Sequence, residues 1–566
     1  MVRRYLILFV LLVLVALRCY PQNIDYDKRL REIVRQYGQA EVTIPFTDRN
    51  TLNSLTREVS ITSVRDKTVV ISLSPLTVEW FIQQKFGYSI IEKSFTKGIV
   101  SALNTKEAMG WEVYPSYFQY DSIMQSFISL YPGLCKLDTI GKSNNGKLVL
   151  ALKISDNAAD NEDEPEVFYS STIHGDETGG FVLMLRLADY LLKNYTGNSR
   201  VKNLVDNLEI WINPLANPDG TYGTGNTISS PVRYNAQGYD LNRNFPDPVT
   251  PNTVKQKETL DMIRFMEEHR FVISANFHAG DEVVNYPWDR WYSRYHADDS
   301  WFHGISRAYA DTVHYYSGPA YMNEFDNGIT RGAAWYIIYG GRQDFVTYGL
   351  QGREVTIELD MTRETPAAQL ELLWQNNWHS LLVYIENALY GIHGLVQDAS
   401  SSLPVPAKVF ITGHDSDSSH VYSDTLTGKF VRMLSPGSWD LTFSANGYID
   451  TTVSNIPVYE GQKTDIVVNM IPETNRTKTI IPSVTSLYPN PAANEINALL
   501  SDRMTGYVNV RIINMSGVVI SDFNTETIQG EPVPIDITML KGGSYTVIFT
   551  NTSSKASCRG KFMVIK

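Results

Sequence analysis

The sequence predicts a mixed-sheet α/β domain, preceded by a small α/β domain and followed by two β-sandwich modules. From Tyr117 to Phe277, segments with the apolar pattern of strands alternate with segments of helical periodicity, which is typical of α/β layer architectures. After Tyr390 the helical patterns end, and polar residues alternate with apolar ones between turns rich in Gly, Pro, Asn and Asp. At 566 residues, the chain has the length of roughly two to four domains.

The composition excludes several classes of protein. A hydrophobic share of 43% and a charged share of 19% describe a globular chain, neither disordered nor embedded in a membrane. The formal net charge of −12 argues against nucleic acid as a partner, because a phosphate backbone needs a basic surface. The three cysteines, Cys19, Cys135 and Cys558, are too few and too far apart for a disulfide framework.

Residues 1–22 have the pattern of a secretory signal peptide. Two arginines precede the apolar run Tyr5–Leu17, which is too short to span a bilayer, and polar chain follows it. We therefore expect an exported protein with no transmembrane segment in the mature chain. Cys19 leaves lipid attachment open as an alternative, although Arg18 before it is a poor fit to the small residue that such processing needs.

Residues 23–110 are expected to form the small α/β domain. Helical periodicity covers Tyr26–Tyr37 and Pro75–Phe86, and strand patterns cover Glu41–Pro45 and Lys67–Ser72. The segment holds no group of residues with an evident chemical role. We interpret it as a packing or folding domain, with a pro-segment as the alternative.

The central domain is expected to span residues 111–390. An acidic loop at 156–164 is interpreted as a solvated connection between two of its strands. In such folds, ligands bind beyond the carboxyl ends of the strands. The predicted elements are, in order, helix Tyr117–Leu130, strands Lys136–Ile140, Leu148–Ile154 and Glu166–Ile173, helix Gly180–Asn194, strand Leu208–Asn213, helix Val254–His269 and strand Phe271–Phe277.

Histidine and acidic side chains lie at the ends of three predicted strands. His174 and Glu177 form an H-x-x-E pair after one strand, and His278 directly follows another. Glu358 lies near the end of a third strand, in REVTIEL. An H-x-x-E pair often occurs by chance, and a lone histidine is often a core residue. Because three strand ends meet at one edge, we nevertheless predict a zinc site of two histidines and a glutamate with one open position.

Several motifs agree in order and spacing with one family. From Ser116 to Tyr390 the chain resembles the zinc metallocarboxypeptidases, and more narrowly their regulatory, N/E-type branch, in which a transthyretin-like β-domain follows the catalytic domain. The motifs are His174–Glu177, NPLANPDG at 213–220, RYNAQGYDLNRNFPD at 233–247, NFHAG at 276–280, NYPWD at 285–289, GGRQDF at 340–345 and EVTIEL at 354–359.

The resemblance implies roles for the predicted zinc site. His174, Glu177 and His278 would hold one zinc ion, which makes a water molecule reactive at neutral pH. Glu358 matches the general base that takes a proton from that water and returns it to the leaving amine. Arg233 matches the arginine that polarises the scissile carbonyl and stabilises the oxyanion.

The resemblance also implies a clamp for the terminal carboxylate of a peptide. Asn242 and Arg243 match the pair that binds this group, a role suited to the planar fork of arginine. Tyr336 matches the mobile tyrosine that closes over it, and Tyr339 and Tyr348 are competing candidates nearby. A carboxylate clamp implies an exopeptidase, because only a chain terminus offers that group beside the scissile bond.

Two further residues concern specificity. Asp289, 11 residues after His278, matches the aspartate that receives C-terminal Lys or Arg in the N/E branch, and Gln343 matches a polar residue of the same pocket. A buried carboxylate needs a cationic partner, which favours a basic terminal residue. The alternative is a surface aspartate in a loop that also contains Arg290.

Asp176 replaces the arginine that the digestive enzymes have inside H-x-x-E, which supports the N/E branch.

The C-terminal part is expected to contain two β-sandwich modules. Residues 391–473 resemble the transthyretin-like domain, in which His393 and His414 are expected to face solvent. A polar linker at 474–484 leads to residues 485–566. With its YPNPA start and its basic, apolar end, this last module resembles the C-terminal sorting domain of Bacteroidetes proteins exported by the type IX route, which implies the secretion machinery as a partner.

The sequence therefore predicts a secreted zinc carboxypeptidase that removes C-terminal Lys or Arg from peptides or proteins. A cell-wall peptide or amide hydrolase of the same fold is an alternative, which Asp289 and the Asn242–Arg243 clamp argue against. A surface binding protein with an inactive peptidase domain is another. The presence of all three predicted zinc ligands and of Glu358 argues against it.

Overall fold

A computed structural model describes residues 25–46, 48–65, 67–92, 98–250, 255–473, 484, 486–501, 504–515, 517–554 and 556–566. The predicted signal peptide, with Cys19, and nearly all of the predicted linker lie outside these residues. No helix in the described ranges is both long and apolar enough to cross a membrane.

The N-terminal domain, residues 25–92, is a small antiparallel sheet with helices. Its strand order is β2-β3-β1-β4. Helix α1 has the predicted bounds, because Asp25 caps its first turn and Gly38 ends it in a left-handed conformation. Helix α3 is shorter than predicted at both ends, since turns replace its first residues and Gln84 and Lys85. The elements are α1 Tyr26–Tyr37, β1 Ala40–Pro45, α2 Arg49–Leu55, β2 Ser60–Arg65, β3 Thr68–Leu73, α3 Val78–Gln83 and β4 Ser89–Ile91.

The central domain is built on an eight-stranded mixed sheet of order β11-β10-β12-β9-β7-β8-β6-β5. Strands β12, β9, β7 and β8 are parallel, and their nearly continuous burial shows that both faces are covered. The strands are β5 Cys135–Lys142, β6 Leu148–Ile154, β7 Glu166–Ser171, β8 Glu209–Asn213, β9 Phe271–His278, β10 Asp281–Tyr286, β11 Ile329–Arg331 and β12 Arg353–Asp360.

Helices pack on both faces of this sheet, in two separate apolar clusters. The predicted helices at Tyr117 and Gly180 are confirmed to within one residue, and the one before β9 is confirmed from Lys257 onward. Val254, where that helix was expected to begin, lies outside the described residues. The helices are α4 Thr105–Ala108, α5 Tyr117–Leu130, α6 Gly179–Asn194, α7 Ser199–Val205, α8 Pro218–Tyr222, α9 Lys257–Glu268, α10 Asp299–Ser317, α11 Gly332–Trp335, α12 Arg342–Asp344 and α13 Leu370–Glu386.

Two modules of paired sheets follow, which confirms the predicted fold class. The first has sheets β16-β13-β19 and β15-β14-β17-β18, and the second has β20-β21-β24 and β23-β22-β25-β26. Their strands are β13 Gly391–Asp398, β14 Lys408–Phe410, β15 Val421–Tyr422, β16 Lys429–Arg432, β17 Gly437–Ser444, β18 Thr451–Val458, β19 Lys463–Met470, β20 Ser486–Tyr488, β21 Glu495–Leu499, β22 Gly506–Asn514, β23 Val519–Thr527, β24 Val533–Asp536, β25 Gly543–Asn551 and β26 Ser557–Val564.

A buried ion cluster joins the first sandwich to the central domain. Asp298, just before α10, accepts hydrogen bonds from Arg353 at 2.8 Å and from Arg432 at 2.6 and 3.1 Å. His414 was expected to face solvent, and this expectation is wrong. Its Nε2 lies 2.9 Å from Asp298 Oδ1, and the side chain is only 25% exposed.

Candidate metal centre and substrate cleft

The edge of the sheet where β7, β9 and β12 end holds the predicted zinc ligands. After β7 the chain turns through His174 and Glu177 into α6. The start of α6 lies so close to the end of β7 that a small residue is needed there, since a Cβ on Gly180 would lie 2.2 Å from Ser171 Oγ. His278 is the last residue of β9. Glu358 of β12 is paired in register with His278, so the parallel strands bring these side chains to one edge.

Three donor atoms converge at this edge. His174 Nδ1 lies 2.8 Å from Glu177 Oε1, and His278 Nδ1 lies 2.8 Å from Glu177 Oε2 and 3.1 Å from His174 Nδ1. Tetrahedral zinc with bonds of about 2.0–2.1 Å keeps its ligand atoms roughly 3.3 Å apart. The spacing and the chemistry of the donors therefore fit a zinc ion with a fourth position open.

The outer nitrogens of both rings have partners that orient them for a metal. His174 Nε2 lies 3.1 Å from Asp240 Oδ1, so it carries the proton and leaves the Nδ1 lone pair free. His278 Nε2 lies 2.7 Å from the amide of Asn276, whose Oδ1 has no hydrogen-bonding partner among the described residues. Exchanging the oxygen and nitrogen of that amide gives Nε2–H an acceptor. Both rings then present Nδ1 to the same point.

Glu358 and Arg233 lie beside the three donors. The Glu358 carboxylate makes no hydrogen bond to any described residue, and burial together with the nearby Glu177 carboxylate raises its pKa above the usual range. Arg233 is 3% exposed and donates to Asp240 at 2.9 Å and to Glu177 at 3.2 Å. One carboxylate without a donor and one fixed guanidinium are thus available next to the metal position.

The predicted clamp residues line the same cavity. Asn242 Oδ1 accepts from the backbone N–H of Arg342 at 2.9 Å, and its Nδ2 lies 3.5 Å from His278 Nε2. The cavity wall also contains Arg243 and Tyr336. The structure thus brings together the predicted metal, base, oxyanion and clamp residues.

The predicted specificity residues lie behind that wall and not in it. Asn285, which lines the cavity, donates to Asp289 Oδ1 at 3.0 Å, and Gln343 donates to the same oxygen at 3.1 Å. Asp289 is 2% exposed, so the alternative of a surface aspartate is wrong. Burial raises the pKa of Asp289 to about 6.

This buried pocket has more acceptors than donors. Asn285 Oδ1 and Gln343 Oε1 have no hydrogen-bonding partner among the described residues. A Cβ on Gly332 would lie 1.8 Å from Asp289 Oδ1 and 2.8 Å from Asn285 Oδ1, so glycine leaves both oxygens room. Unmatched buried acceptors are costly, and a cation with several N–H groups would satisfy them.

The cavity at the metal position is small. Its volume is about 30 Å³, which is room for water molecules but not for a peptide. Ile61 and Thr62 of the N-terminal domain form part of its wall.

Sequence reasoning missed several residues that shape this site. Asp240 contacts His174 and Arg233. The only sequence signal for its role was its place in the motif at 233–247, two residues before Asn242. Asn276 lies two residues before His278 on β9, so the strand period puts both side chains on one face. Gly332 carries no motif that would have marked it.

Comparison with known proteins identifies two segments. Residues 120–380 match a family model described as zinc carboxypeptidase, and residues 486–566 match one described as a secretion system C-terminal sorting domain. Human carboxypeptidase D is 35% identical over 345 residues, which is 58% of this chain but 25% of that protein, so the chain spans about a quarter of its length.

Other relatives are matched over more of their length. Carboxypeptidase SOL1 of Arabidopsis thaliana is 32% identical over 376 residues, covering 63% of this chain and 73% of that protein. The crystal structure of carboxypeptidase A from Helicoverpa armigera aligns with a TM-score of 0.47 and 17% identity, covering 62% of this chain and 97% of that chain.

Proposed function

This chain belongs to the zinc carboxypeptidase family, and on that premise we propose that it is a secreted zinc carboxypeptidase that removes Lys or Arg from the C-termini of peptides or proteins. The observation that carries the basic preference is the buried pocket around Asp289, in which two acceptors have no donor within the described part of the chain. Neither an apolar nor an acidic terminal side chain would satisfy these oxygens.

The proposed reaction uses the residues at the sheet edge. His174, Glu177 and His278 would hold one zinc ion, which supplies a Lewis acid beside the water and the scissile carbonyl. Glu358 accepts a proton as the water oxygen bonds to the carbonyl carbon, and it delivers that proton to the amine nitrogen when the C–N bond breaks. Arg233 donates to the oxygen that gains negative charge, from a position that Asp240 already holds.

The clamp selects the chain terminus. Arg243 and the Nδ2 of Asn242 would bind the terminal carboxylate, and Tyr336 would close over it. A guanidinium or ammonium on the last residue would then reach Asp289, Asn285 and Gln343 past Gly332. Its charge compensates the buried carboxylate, and its N–H groups match the free acceptors.

Peptides that differ only in their last residue test this function. We expect faster release of Lys and Arg than of Leu or Phe, and loss of all hydrolysis after a chelator removes the metal, with recovery on adding zinc. A preference for Leu or Phe would remove Asp289 from its proposed role. Hydrolysis that persists in full without metal would contradict the zinc mechanism.

The pH dependence of kcat/KM provides a second prediction. Below a pH of about 6, Asp289 of the free enzyme is protonated, because burial raises its pKa. For peptides ending in Arg, kcat/KM should therefore fall as the pH drops through this value. Asp289→Asn should lower kcat/KM for these peptides about a hundredfold.

Protonation of the base Glu358 lowers kcat/KM for every peptide, so peptides ending in Leu serve as the control. In the wild type, the ratio of kcat/KM for Arg-ending to Leu-ending peptides should fall with pH, and in Asp289→Asn it should not. A wild-type ratio that is independent of pH would contradict the assignment.

The flanking segments suggest export. We propose a signal peptide at 1–22, the N-terminal domain within 23–110, the catalytic domain at 111–390, a transthyretin-like sandwich at 391–473 and a linker at 474–484. The module at 485–566 corresponds to the matched sorting domain, which supports type IX secretion to the cell surface or medium. Partners of the exported enzyme would be peptide C-termini.

A further inference from the structure

We propose that the buried ion pair between Arg342 and Glu354 is a positioning device, which fixes the carboxylate clamp and the specificity pocket against the strand that carries Glu358. This inference rests on the proposed function, since it names positioning residues for that same site. Arg342 lies in the motif GGRQDF, of which only Gln343 was predicted to contact substrate. Both members of the pair lie outside the lining of the cavity at the metal position.

Helix α12 contacts both substrate-binding parts of the site. The backbone N–H of Arg342 donates to Asn242 Oδ1 at 2.9 Å, which leaves Nδ2 as the end of this amide that can donate to a terminal carboxylate. Gln343 donates to Asp289 Oδ1 at 3.1 Å. Asp344 accepts from the backbone N–H of Asp289 at 3.0 Å. The position of α12 therefore sets the position of the clamp amide and of the pocket carboxylate.

The side chain of Arg342 anchors this helix. Helix α12 is three residues long and its N-terminus has no side-chain cap, so its own hydrogen bonds cannot fix its position. Arg342 is fully buried, and its Cζ lies 4.9 Å from the centre of the Phe168 ring, which belongs to an apolar cluster of the central domain. Its Nη2 donates to Glu354 Oε2 at 2.9 Å. The guanidinium thus connects α12 to the interior of the domain.

Glu354 belongs to the strand that also carries the proposed base. It lies on β12 four residues before Glu358, so the strand period places both side chains on one face. It is paired in register with Ser274 of β9, whose hydroxyl donates to the same Oε2 at 2.7 Å. Both strands have a neighbour on each side in the sheet. The ion pair therefore holds α12 against the rigid strands that carry Glu358 and His278.

Stability alone does not account for this pair. Arg342 Nε and Nη1 and Glu354 Oε1 are buried and have no hydrogen-bonding partner within the described ranges. Replacing a buried ion pair by apolar side chains of similar volume is often neutral or stabilising. An anchor with three unmatched polar atoms is therefore a poor source of stability, whereas its directional hydrogen bond holds α12 in one place.

Steady-state kinetics of Arg342→Met in the full-length chain test the positioning role. The substitution removes the anchor, so KM for a peptide ending in Arg should rise about tenfold or more because the clamp and the pocket are misplaced. The turnover number kcat should change less than about threefold, since the metal donors and Glu358 keep their contacts. A purely structural role predicts the opposite result, in which partial unfolding lowers kcat and leaves KM unchanged.

The double variant Arg342→Met/Glu354→Gln provides a second test that leaves no unpaired charge in the interior. If the two residues act as one unit, its KM should equal that of Arg342→Met. A KM that rises by the product of the effects of Arg342→Met and Glu354→Gln would show independent roles and overturn the inference.

A matched variant controls for the loss of a buried cation. Lys153 and Glu209 form another buried pair in the central domain at 2.9 Å, with side chains 5% and 2% exposed. Glu209 is the first residue of β8, so this pair lies at the edge of the sheet opposite to His278. Lys153→Met should lower stability and leave KM unchanged. A rise in KM equal to that of Arg342→Met would overturn the positioning role.

A binding measurement separates this inference from the proposed function. It uses two non-hydrolysable peptide analogues, one ending in the carboxylate of arginine and the other in its amide. The wild type should bind the carboxylate form about tenfold tighter, and Arg342→Met should lose most of this preference. If this difference is present but no peptide is hydrolysed, the proposed reaction fails and the positioning role stands. If peptides are hydrolysed and both proteins have the same KM and the same preference, the positioning role is overturned and the proposed function stands.

Discussion

Glu358→Gln is expected to lower kcat about a thousandfold while zinc remains bound. The amide cannot accept the proton of the attacking water, and no other carboxylate in the cavity wall is free for this role, since Glu177 is a proposed metal ligand. The change is nearly isosteric, and the Glu358 side chain makes no hydrogen bond to a described residue that the substitution would break. Steady-state release of the terminal residue and zinc content per chain measure the two effects.

A surface variant controls for the loss of a carboxylate. Glu371→Gln removes a carboxylate on α13 that pairs with Arg186 and whose side chain is 47% exposed, so its activity should equal that of the wild type. Unchanged hydrolysis by Glu358→Gln would falsify the proposed base. Loss of zinc together with activity would assign Glu358 to the metal site instead.

Asp298→Asn is expected to reduce the free energy of unfolding by about 3–5 kcal/mol, the usual cost of breaking a buried ion pair from one side. Arg353 and Arg432 are 2% and 0% exposed, and each would lose a charged acceptor. Burial alone would raise the pKa of Asp298, but the two guanidiniums outweigh burial and hold it well below the usual range. The stabilisation is therefore present above the unfolded pKa near 3.9 and is lost as the pH falls further.

Urea unfolding of the wild type and the variant measures this effect. Asp465→Asn is the control, because its carboxylate pairs with Lys463 and is 68% exposed, and we expect a change of less than about 1 kcal/mol. A small effect of Asp298→Asn, comparable to that of the control, would show that Asp415 and backbone carbonyls compensate both arginines. The cluster would then not stabilise the junction between the central domain and the first sandwich.

Local sequence patterns predicted many of the elements well. The helix at Tyr117–Leu130 was predicted with its observed bounds, and the structure shows that Ser116 and Gln119 form a capping box at its start. Strand β6 was likewise predicted with its observed bounds, since a run of apolar residues between turns needs no partner to be recognised. The α3 helix was predicted too long, because residues at both of its predicted ends form turns that periodicity does not reveal.

The residues of the candidate site also divide into those that sequence motifs predicted and those that they did not. His174, Glu177, His278 and Glu358 could be placed at one sheet edge, because parallel strands end together and each motif marks its own strand. The partners of these residues could not be predicted. Asp240 and Gly332 act through contacts across the fold, which no local pattern contains. The pattern of β9 places Asn276 on the same face as His278 but does not show that the two side chains lie within hydrogen-bonding distance.

The sequence alone predicted the fold class, many of the elements, the family and the residue types of the proposed chemistry, because these depend on local periodicity and on motifs that remain contiguous in the chain. Only the tertiary structure decided that Asp289 is buried, that His414 contacts Asp298, and that Ile61 and Thr62 lie in the wall of the cleft. These features arise when separate segments pack together: Gln343 contacts Asp289 across 54 residues, and His414 contacts Asp298 across 116 residues. Burial and contact across such separations depend on the whole fold and leave no mark on either segment alone.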